Sequence, residues 1–96
     1  MIKMLTVVSS NVSRIGYDGK SNLFVQFGDL GSVYQYANVP AEIFEEIQVA
    51  PSVGQYIARY VRNAYGAKKY PIQEAMQKFG LTETGVKLCE KNEPKP

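Results

Sequence analysis

The residues with the clearest chemical pattern lie between Arg59 and Tyr70, where cations and aromatic rings alternate and no acidic residue occurs. Guanidinium and ammonium groups neutralise phosphate, and tyrosine rings stack on exposed bases. The pattern therefore predicts a surface that binds RNA or another phosphate-bearing ligand. The residues of this predicted surface are Arg59, Arg62, Tyr65, Lys68, Lys69 and Tyr70.

A second interpretation explains the same charges without a ligand. Arg59 and Arg62 are three residues apart, so they share one face of a predicted α-helix. Lys68 and Lys69 follow the C-terminus of that helix, where cations are locally favourable and also help solubility. The sequence leaves both interpretations open.

Tyr34 and Tyr36 suggest a second candidate site, a polar pocket shared with Ser9 and Ser10. The two tyrosines are two residues apart, so an extended backbone points both rings to one face. The apolar residues of the preceding strand share that face and must be buried, so we expect both tyrosines to be chiefly core residues with hydroxyls at the rim. A buried Tyr hydroxyl needs a hydrogen-bond partner, and Ser9, Ser10 and Arg62 are candidates.

The composition argues against an enzyme. The chain has no His and one Cys, so acid–base catalysis would need paired carboxylates or a perturbed Lys, and a structural zinc site is not expected. Glu42, Glu45 and Glu46 cluster opposite an apolar helical stripe, which is typical of a solvated helix face. No phosphate-loop, dinucleotide-binding or nucleophile-elbow motif occurs. We therefore expect no catalysis, no metal and no cofactor.

Three strands with two intervening turns must position the tyrosines. Residues 12–17, 22–27 and 32–37 each alternate apolar and polar side chains, and Asp-Gly and Gly-Asp sequences lie between them. Pairing Ile15 with Val25, and Val25 with Tyr34, places every large apolar side chain on one face, whereas a shift of one residue would scatter them. The sequence thus predicts an antiparallel meander with one buried face.

Helical periodicity follows the strands and supplies the cover for that face. Residues 41–50 carry an apolar stripe after Pro40, and Ser52 is a typical N-cap for a second helix that runs to Ala64. A third helix is predicted over residues 72–79, ended by Gly80. Residues 82–88 suggest a further helical turn, and residues 90–96 have the composition of a frayed tail. The predicted fold is α+β: a three-stranded antiparallel meander covered by two helices, plus a C-terminal helix and tail.

Several short motifs in this order resemble the KTSC domain family. They are Ser9-Ser10, Ile15-Gly16-Tyr17-Asp18, Leu23-Phe24-Val25-Gln26-Phe27, Gly31-Ser32-Val33-Tyr34-Gln35-Tyr36, Val39-Pro40, Ala50-Pro51-Ser52-Val53-Gly54 and Arg62-Asn63-Ala64-Tyr65. The family is named after a C-terminal extension of some lysyl-tRNA synthetases and includes small stand-alone bacterial and phage proteins. The resemblance implies a connection with RNA.

The resemblance divides the chain into an N-terminal lead-in over residues 1–8, a KTSC-like domain over residues 9–65, and a C-terminal helical extension and tail over residues 66–96. We expect a cytoplasmic protein (in the host cytoplasm if phage-encoded) that does not contact membranes. The leading hypothesis is a non-enzymatic module that binds RNA or a nucleotide-like anion. Two alternatives are a homo-oligomeric sponge for a small anionic nucleotide and a protein-interaction module.

Overall fold

The computed structural model describes residues 2–8, 12–28 and 32–89 of the 96-residue chain. These residues form one six-stranded sheet. Its strands are β1 (Ile2–Val8), β2 (Val12–Tyr17), β3 (Leu23–Phe27), β4 (Val33–Tyr36), β5 (Ala67–Tyr70) and β6 (Leu81–Cys89). They lie in the order β5-β4-β3-β2-β1-β6, and every neighbouring pair is antiparallel except β1 and β6, which are parallel.

The central meander has the register that the sequence predicts. Ile15 is opposite Val25, Val25 is opposite Tyr34, and Leu23 is opposite Tyr36. The β2–β3 turn is built on Asp18, whose carboxylate accepts hydrogen bonds from the backbone N–H groups of Lys20, Ser21 and Asn22. The alternation of side chains and the turn chemistry together therefore fix the pairing, as expected.

The predicted three-stranded sheet is too small. Ile2–Val8, expected to be a lead-in, is a strand between β2 and β6. Residues 67–69, which the sequence did not assign to a helix or strand, begin the edge strand β5, and residues 82–88, predicted to form a helical turn, lie within β6. The predicted tail, residues 90–96, lies outside the described part of the chain.

One face of the sheet packs against α1 (Ala41–Val49) and α2 (Val53–Tyr56), which continues as a π-helical segment, Ile57–Val61. The Ser52 hydroxyl accepts a hydrogen bond from the Gln55 N–H, which confirms the predicted N-cap. This core includes the buried residues Ile15, Leu23, Val25, Tyr36, Ile47, Val53, Ile57 and Val61. Ala64, predicted to belong to the apolar stripe of the second helix, is exposed because the helix has ended before it.

The other face, which the sequence analysis left open, is also covered. Helix α3 (Ile72–Phe79) crosses it and ends at Gly80 in the left-handed conformation, as predicted. Phe24 and Phe79 pack with their ring centroids 4.8 Å apart. A second core results, in which Met4, Phe24, Val33, Ala75 and Leu81 are buried. No helix among the described residues has the length and apolar character to span a membrane.

Candidate functional site

The first face of the sheet opens into a groove beside the π-helical segment. Its walls are the side chains of Phe27, Tyr34, Tyr36 and Arg62, which enclose about 200 Å³. We call these residues the aromatic–arginine groove. Two of its tyrosines come from the predicted polar pocket and its arginine from the predicted basic surface, so the fold brings together parts of both predicted sites.

The three rings of the groove are held by the sheet. Tyr36 is 3% exposed and belongs to the first core, whereas Tyr34 is half-buried and packs against that core. Phe27 and Tyr34 meet edge to face, with ring centroids 5.3 Å apart and an interplanar angle of 84°. The positions of both tyrosines agree with the expectation that they are chiefly core residues. Phe27 and Tyr34 nevertheless form a right-angled aromatic corner at the rim.

Arg62 brings a positive charge to this corner. Its side chain is exposed, and it makes no ion pair with a carboxylate among the described residues. Burial raises the pKa of the Tyr36 hydroxyl, and the charge of Arg62 partly opposes that rise. This opposition indicates that the guanidinium lies close enough to the phenol to influence it. The charge is therefore near the rings and accessible to a ligand.

The π-helical segment separates Arg62 from Arg59. The Arg62 N–H donates to the Ile57 carbonyl oxygen at 2.8 Å, a hydrogen bond across five residues in place of the α-helical four. In a wider turn each residue advances by a smaller rotation, so residues three apart are separated by a larger angle around the helix axis. Arg62 therefore lines the groove, whereas Arg59 is exposed and lies outside its lining. The prediction of one shared face assumed a regular α-helix.

The edge strand β5 divides its two lysines between opposite faces of the sheet. Lys69 is opposite Tyr34 in the β4–β5 pair, so its side chain points to the same face as the groove. Lys68 is opposite Gln35 and lines an open hollow of about 420 Å³ with Gln35, Asn38 and residues of β5. Lys69 is thus positioned to extend the charge of Arg62, and Lys68 is not.

Tyr70 shares the face of Lys68 and lies away from the groove. Its ring meets Phe79 edge to face at 5.1 Å, and the Lys78 ammonium lies 5.2 Å from its centroid. Tyr70 is therefore part of the second core. Tyr65 is half-buried against the first core and does not line the groove. Ser9 and Ser10 lie outside the described residues.

A second compartment adjoins the aromatic–arginine groove. It has a volume of about 370 Å³ and is lined by Gly54, Ile57 and Ala58, and it shares Phe27 and Arg62 with the groove. The small side chains at Gly54 and Ala58 keep it open. The sequence analysis did not assign Phe27 to a site, although the alternation of β3 placed it on the tyrosine face. No pattern in the sequence indicated that Gly54 and Ala58 would line a compartment.

The described residues include no group of three or more His, Cys, Asp or Glu that could hold a metal ion. Glu42, Glu45 and Glu46 are exposed on α1. Glu46 accepts a hydrogen bond from the Tyr56 hydroxyl at 2.5 Å. Burial and this carboxylate raise the pKa of Tyr56 to about 12, which keeps the phenol protonated. None of these carboxylates lines the groove.

The architecture defines the class of protein: a small α+β domain in which helices cover both faces of a mixed sheet. The chain belongs to the KTSC domain family, whose model matches residues 8–65. It is also similar to the crystal structure of a KTSC domain protein from Yersinia pestis. The TM-score is 0.68 and the identity is 28%, over 73% of this chain and 99% of that one. The resemblance seen in the sequence is therefore confirmed.

Two curated relatives are lysine–tRNA ligases. The ligase of Trichormus variabilis is 31% identical and that of Nostoc punctiforme 29% identical, each over 62 residues. The match covers 65% of this chain and 11% of each ligase. The chain thus corresponds to a small segment of these enzymes.

Proposed function

We propose that this chain is a non-enzymatic binding module for RNA, with the aromatic–arginine groove as its contact surface. Arg62 and Lys69 contact phosphate, and the rings of Phe27 and Tyr34 contact the bases. The observation that carries the proposal is that Arg62, which is exposed and makes no ion pair among the described residues, lines the same groove as the Phe27–Tyr34 aromatic corner. A cation beside stacking surfaces is the arrangement used to bind single-stranded nucleic acid.

The relatives support RNA over other phosphate-bearing ligands. The two ligases are named for their action on tRNA. Their common segment with this chain is too short to carry the whole reaction, since it covers 11% of each ligase. A contribution to RNA contacts accounts for the occurrence of this segment within the ligases.

The test is a titration of fluorescently labelled RNA with the full chain, using tRNA and a single-stranded oligonucleotide as probes. Affinity should fall steeply between about 50 and 200 mM salt, because cations that bind phosphate release counterions. Arg62→Ala and Lys69→Ala should each weaken binding roughly tenfold. Each should also reduce the slope of log K against log salt by about 0.7 for a single strand.

The chain provides matched controls for both variants. Arg59→Ala removes the same charge from the same helical region, and Lys68→Ala removes it from the neighbouring position on β5. Both control residues lie away from the groove, so they should change affinity by less than about twofold. Equal effects of Arg59 and Arg62, or of Lys68 and Lys69, would show that the groove has no special role. A flat salt dependence would reject phosphate binding altogether.

The alternatives from the sequence give different results in the same assay. An oligomeric sponge for a small nucleotide predicts that free nucleotides compete with RNA at equal molar concentration, and that light scattering finds more than one copy. A protein-interaction module predicts no salt-dependent binding to either RNA probe. The sponge is therefore separated from the proposal by competition and oligomeric state, and the protein-interaction module by the absence of salt-dependent RNA binding.

A further inference from the structure

We infer that the aromatic–arginine groove accepts an unpaired nucleobase whose own phosphate meets Arg62, so that the module selects single-stranded over double-stranded RNA. This inference rests on the proposed function and specifies the ligand of the same site.

The shape of the groove suits one flat ring. A ring that stacks on one member of the Phe27–Tyr34 corner lies perpendicular to the other, because the two planes are 84° apart. Such a ligand gains a stacking contact and an edge-to-face contact together. A paired base has no face free, because its neighbours in the duplex cover both sides, and protein side chains reach bases mainly in loops and single strands.

The size of the site agrees with one nucleotide and its neighbour. The groove encloses about 200 Å³, and the adjoining compartment beside Gly54 and Ala58 encloses about 370 Å³. Sites for small organic ligands usually have about 300–1,000 Å³. Phe27 and Arg62 line both spaces, so a phosphate at Arg62 lies between them. A base in the first space and the following sugar in the second fit this division.

The floor of the groove carries a polar group suited to a base edge. Tyr36 is 3% exposed, yet it lines the cavity, and neither its hydroxyl nor that of Tyr34 hydrogen-bonds within the described part of the chain. Burial raises the pKa of Tyr36, so its hydroxyl remains protonated at neutral pH and can donate. A bound base offers carbonyl and ring-nitrogen acceptors to this hydroxyl.

The experiment compares three labelled RNA probes of about ten nucleotides on the wild-type chain. They are a single strand, the same strand paired with its complement, and the same strand with abasic sugars in place of its bases. We expect the single strand to bind at least about tenfold more tightly than the other two, since each stacked base contributes substantially. Tyr34→Leu should abolish this preference, because leucine fills the space without a ring. Tyr60→Leu, an exposed tyrosine away from the groove, is the matched control.

Free mononucleotides form the second arm, because a base with one phosphate could also come from a small molecule. Competition by mononucleotides in the micromolar range would overturn the inference, because the site would then take a free nucleotide and not a base within an RNA strand. Equal affinity for the single strand and the abasic probe would overturn the inference while leaving phosphate binding, and hence the proposed function, intact. Equal affinity for the single strand and the duplex would do the same. Absence of salt-dependent binding to every probe would overturn both.

Discussion

At the scale of single residues, Asp18 has a structural role that the groove residues do not share. One carboxylate oxygen accepts the backbone N–H groups of Lys20, Ser21 and Asn22 at 2.8–3.0 Å, and the other accepts the Asn22 side-chain amide at 2.7 Å. Burial alone would raise the pKa of Asp18. The hydrogen bonds from Asn22, Lys20 and Ser21 outweigh burial and lower the pKa to about 2.

Because the pKa of Asp18 is lowered, the free energy of unfolding should fall as the solution becomes acidic. A carboxyl that ionises more easily in the folded chain contributes stability above its unfolded pKa, and loses that contribution as pH falls through the folded pKa. The window here runs from the ordinary value of 3.8 down to about 2. Asp18→Ala should cost about 1–2 kcal/mol at pH 7, because the turn is partly exposed to water. Urea denaturation of the wild-type protein and of the Asp18→Ala variant measures this loss of unfolding free energy.

The pH dependence provides the control for the Asp18 prediction. The difference in unfolding free energy between the wild-type chain and Asp18→Ala should shrink towards pH 2, where the wild-type carboxyl is about half protonated in the folded chain. A difference that stays constant from pH 7 to pH 2 would show that the turn relies on side-chain shape and not on the charge.

At the scale of elements, the close pairing of β1 and β2 depends on Gly16. Gly16 is opposite Met4, and a Cβ added at Gly16 would overlap the Met4 sulfur and lie 3.2 Å from the Lys3 carbonyl oxygen. Met4 is flexible but 3% exposed, so it has little room to move. Gly16→Ala should therefore destabilise the fold by about 1–2 kcal/mol. Thermal unfolding would measure this loss.

Two further variants distinguish a packing clash at Gly16 from a general effect of replacing glycine by alanine. Gly66→Ala meets nothing within 4 Å, so it should leave the melting temperature nearly unchanged. Met4→Ala removes the side chain that Gly16→Ala displaces, so the two substitutions together should cost less than the sum of the separate costs. Strict additivity would contradict the proposed overlap.

The elements also show which parts of the fold a sequence can specify. The β2–β3–β4 register was predictable because short turns link the strands and a one-residue shift would expose their apolar side chains. The parallel pairing of β1 with β6 joins residues about 80 positions apart, such as Ile2 and Leu81, and no local signal encodes it. Strand β5 has two lysines in four residues, a composition common at protected sheet edges but a weak signal for a strand, so the sequence did not predict it.

The groove was predictable only in part for a related reason. Alternation placed Tyr34 and Tyr36 on one face, and composition indicated Arg62 and Lys69. Which of the cations lie on the side of the groove rings depends on the π-helical hydrogen bond of Arg62 and on the pairing of β5 with β4. The strand pairing is tertiary, and the π-helical hydrogen bond is a local departure from the α-helical periodicity that would group Arg59 with Arg62.

At the scale of the whole molecule, residues 67–89 add two edge strands and a covering helix to the domain that the family model matches. Strand β5 extends one edge of the sheet, α3 crosses the second face, and β6 pairs with β1 at the other edge. The family model ends at residue 65, and the Yersinia pestis structure matches 73% of this chain. The additional segment thus covers a face that residues 8–65 alone would leave open.

Removal of residues 67–96 tests this arrangement. Met4, Phe24 and Val33 are 1–3% exposed and would lose the cover of α3. Burial of each such side chain contributes about 1.5–3 kcal/mol, and an exposed apolar patch promotes association. The shortened chain should therefore melt at lower temperature and self-associate, as measured by calorimetry and light scattering. Removal of residues 90–96 alone is the matched control and should change neither property.

The same truncation also links the fold to the proposed function. Phe27, Tyr34, Tyr36 and Arg62 all lie before residue 67, so the shortened chain keeps every wall of the aromatic–arginine groove and loses Lys69. Polar substitutions at Phe24 and Val33 in the shortened chain should restore a monomer, because they remove the patch on the opposite face. RNA affinity of that monomer should then match Lys69→Ala in the full chain. A larger loss would mean that α3 or β6 supports the groove through the sheet, and that the segment is part of the site.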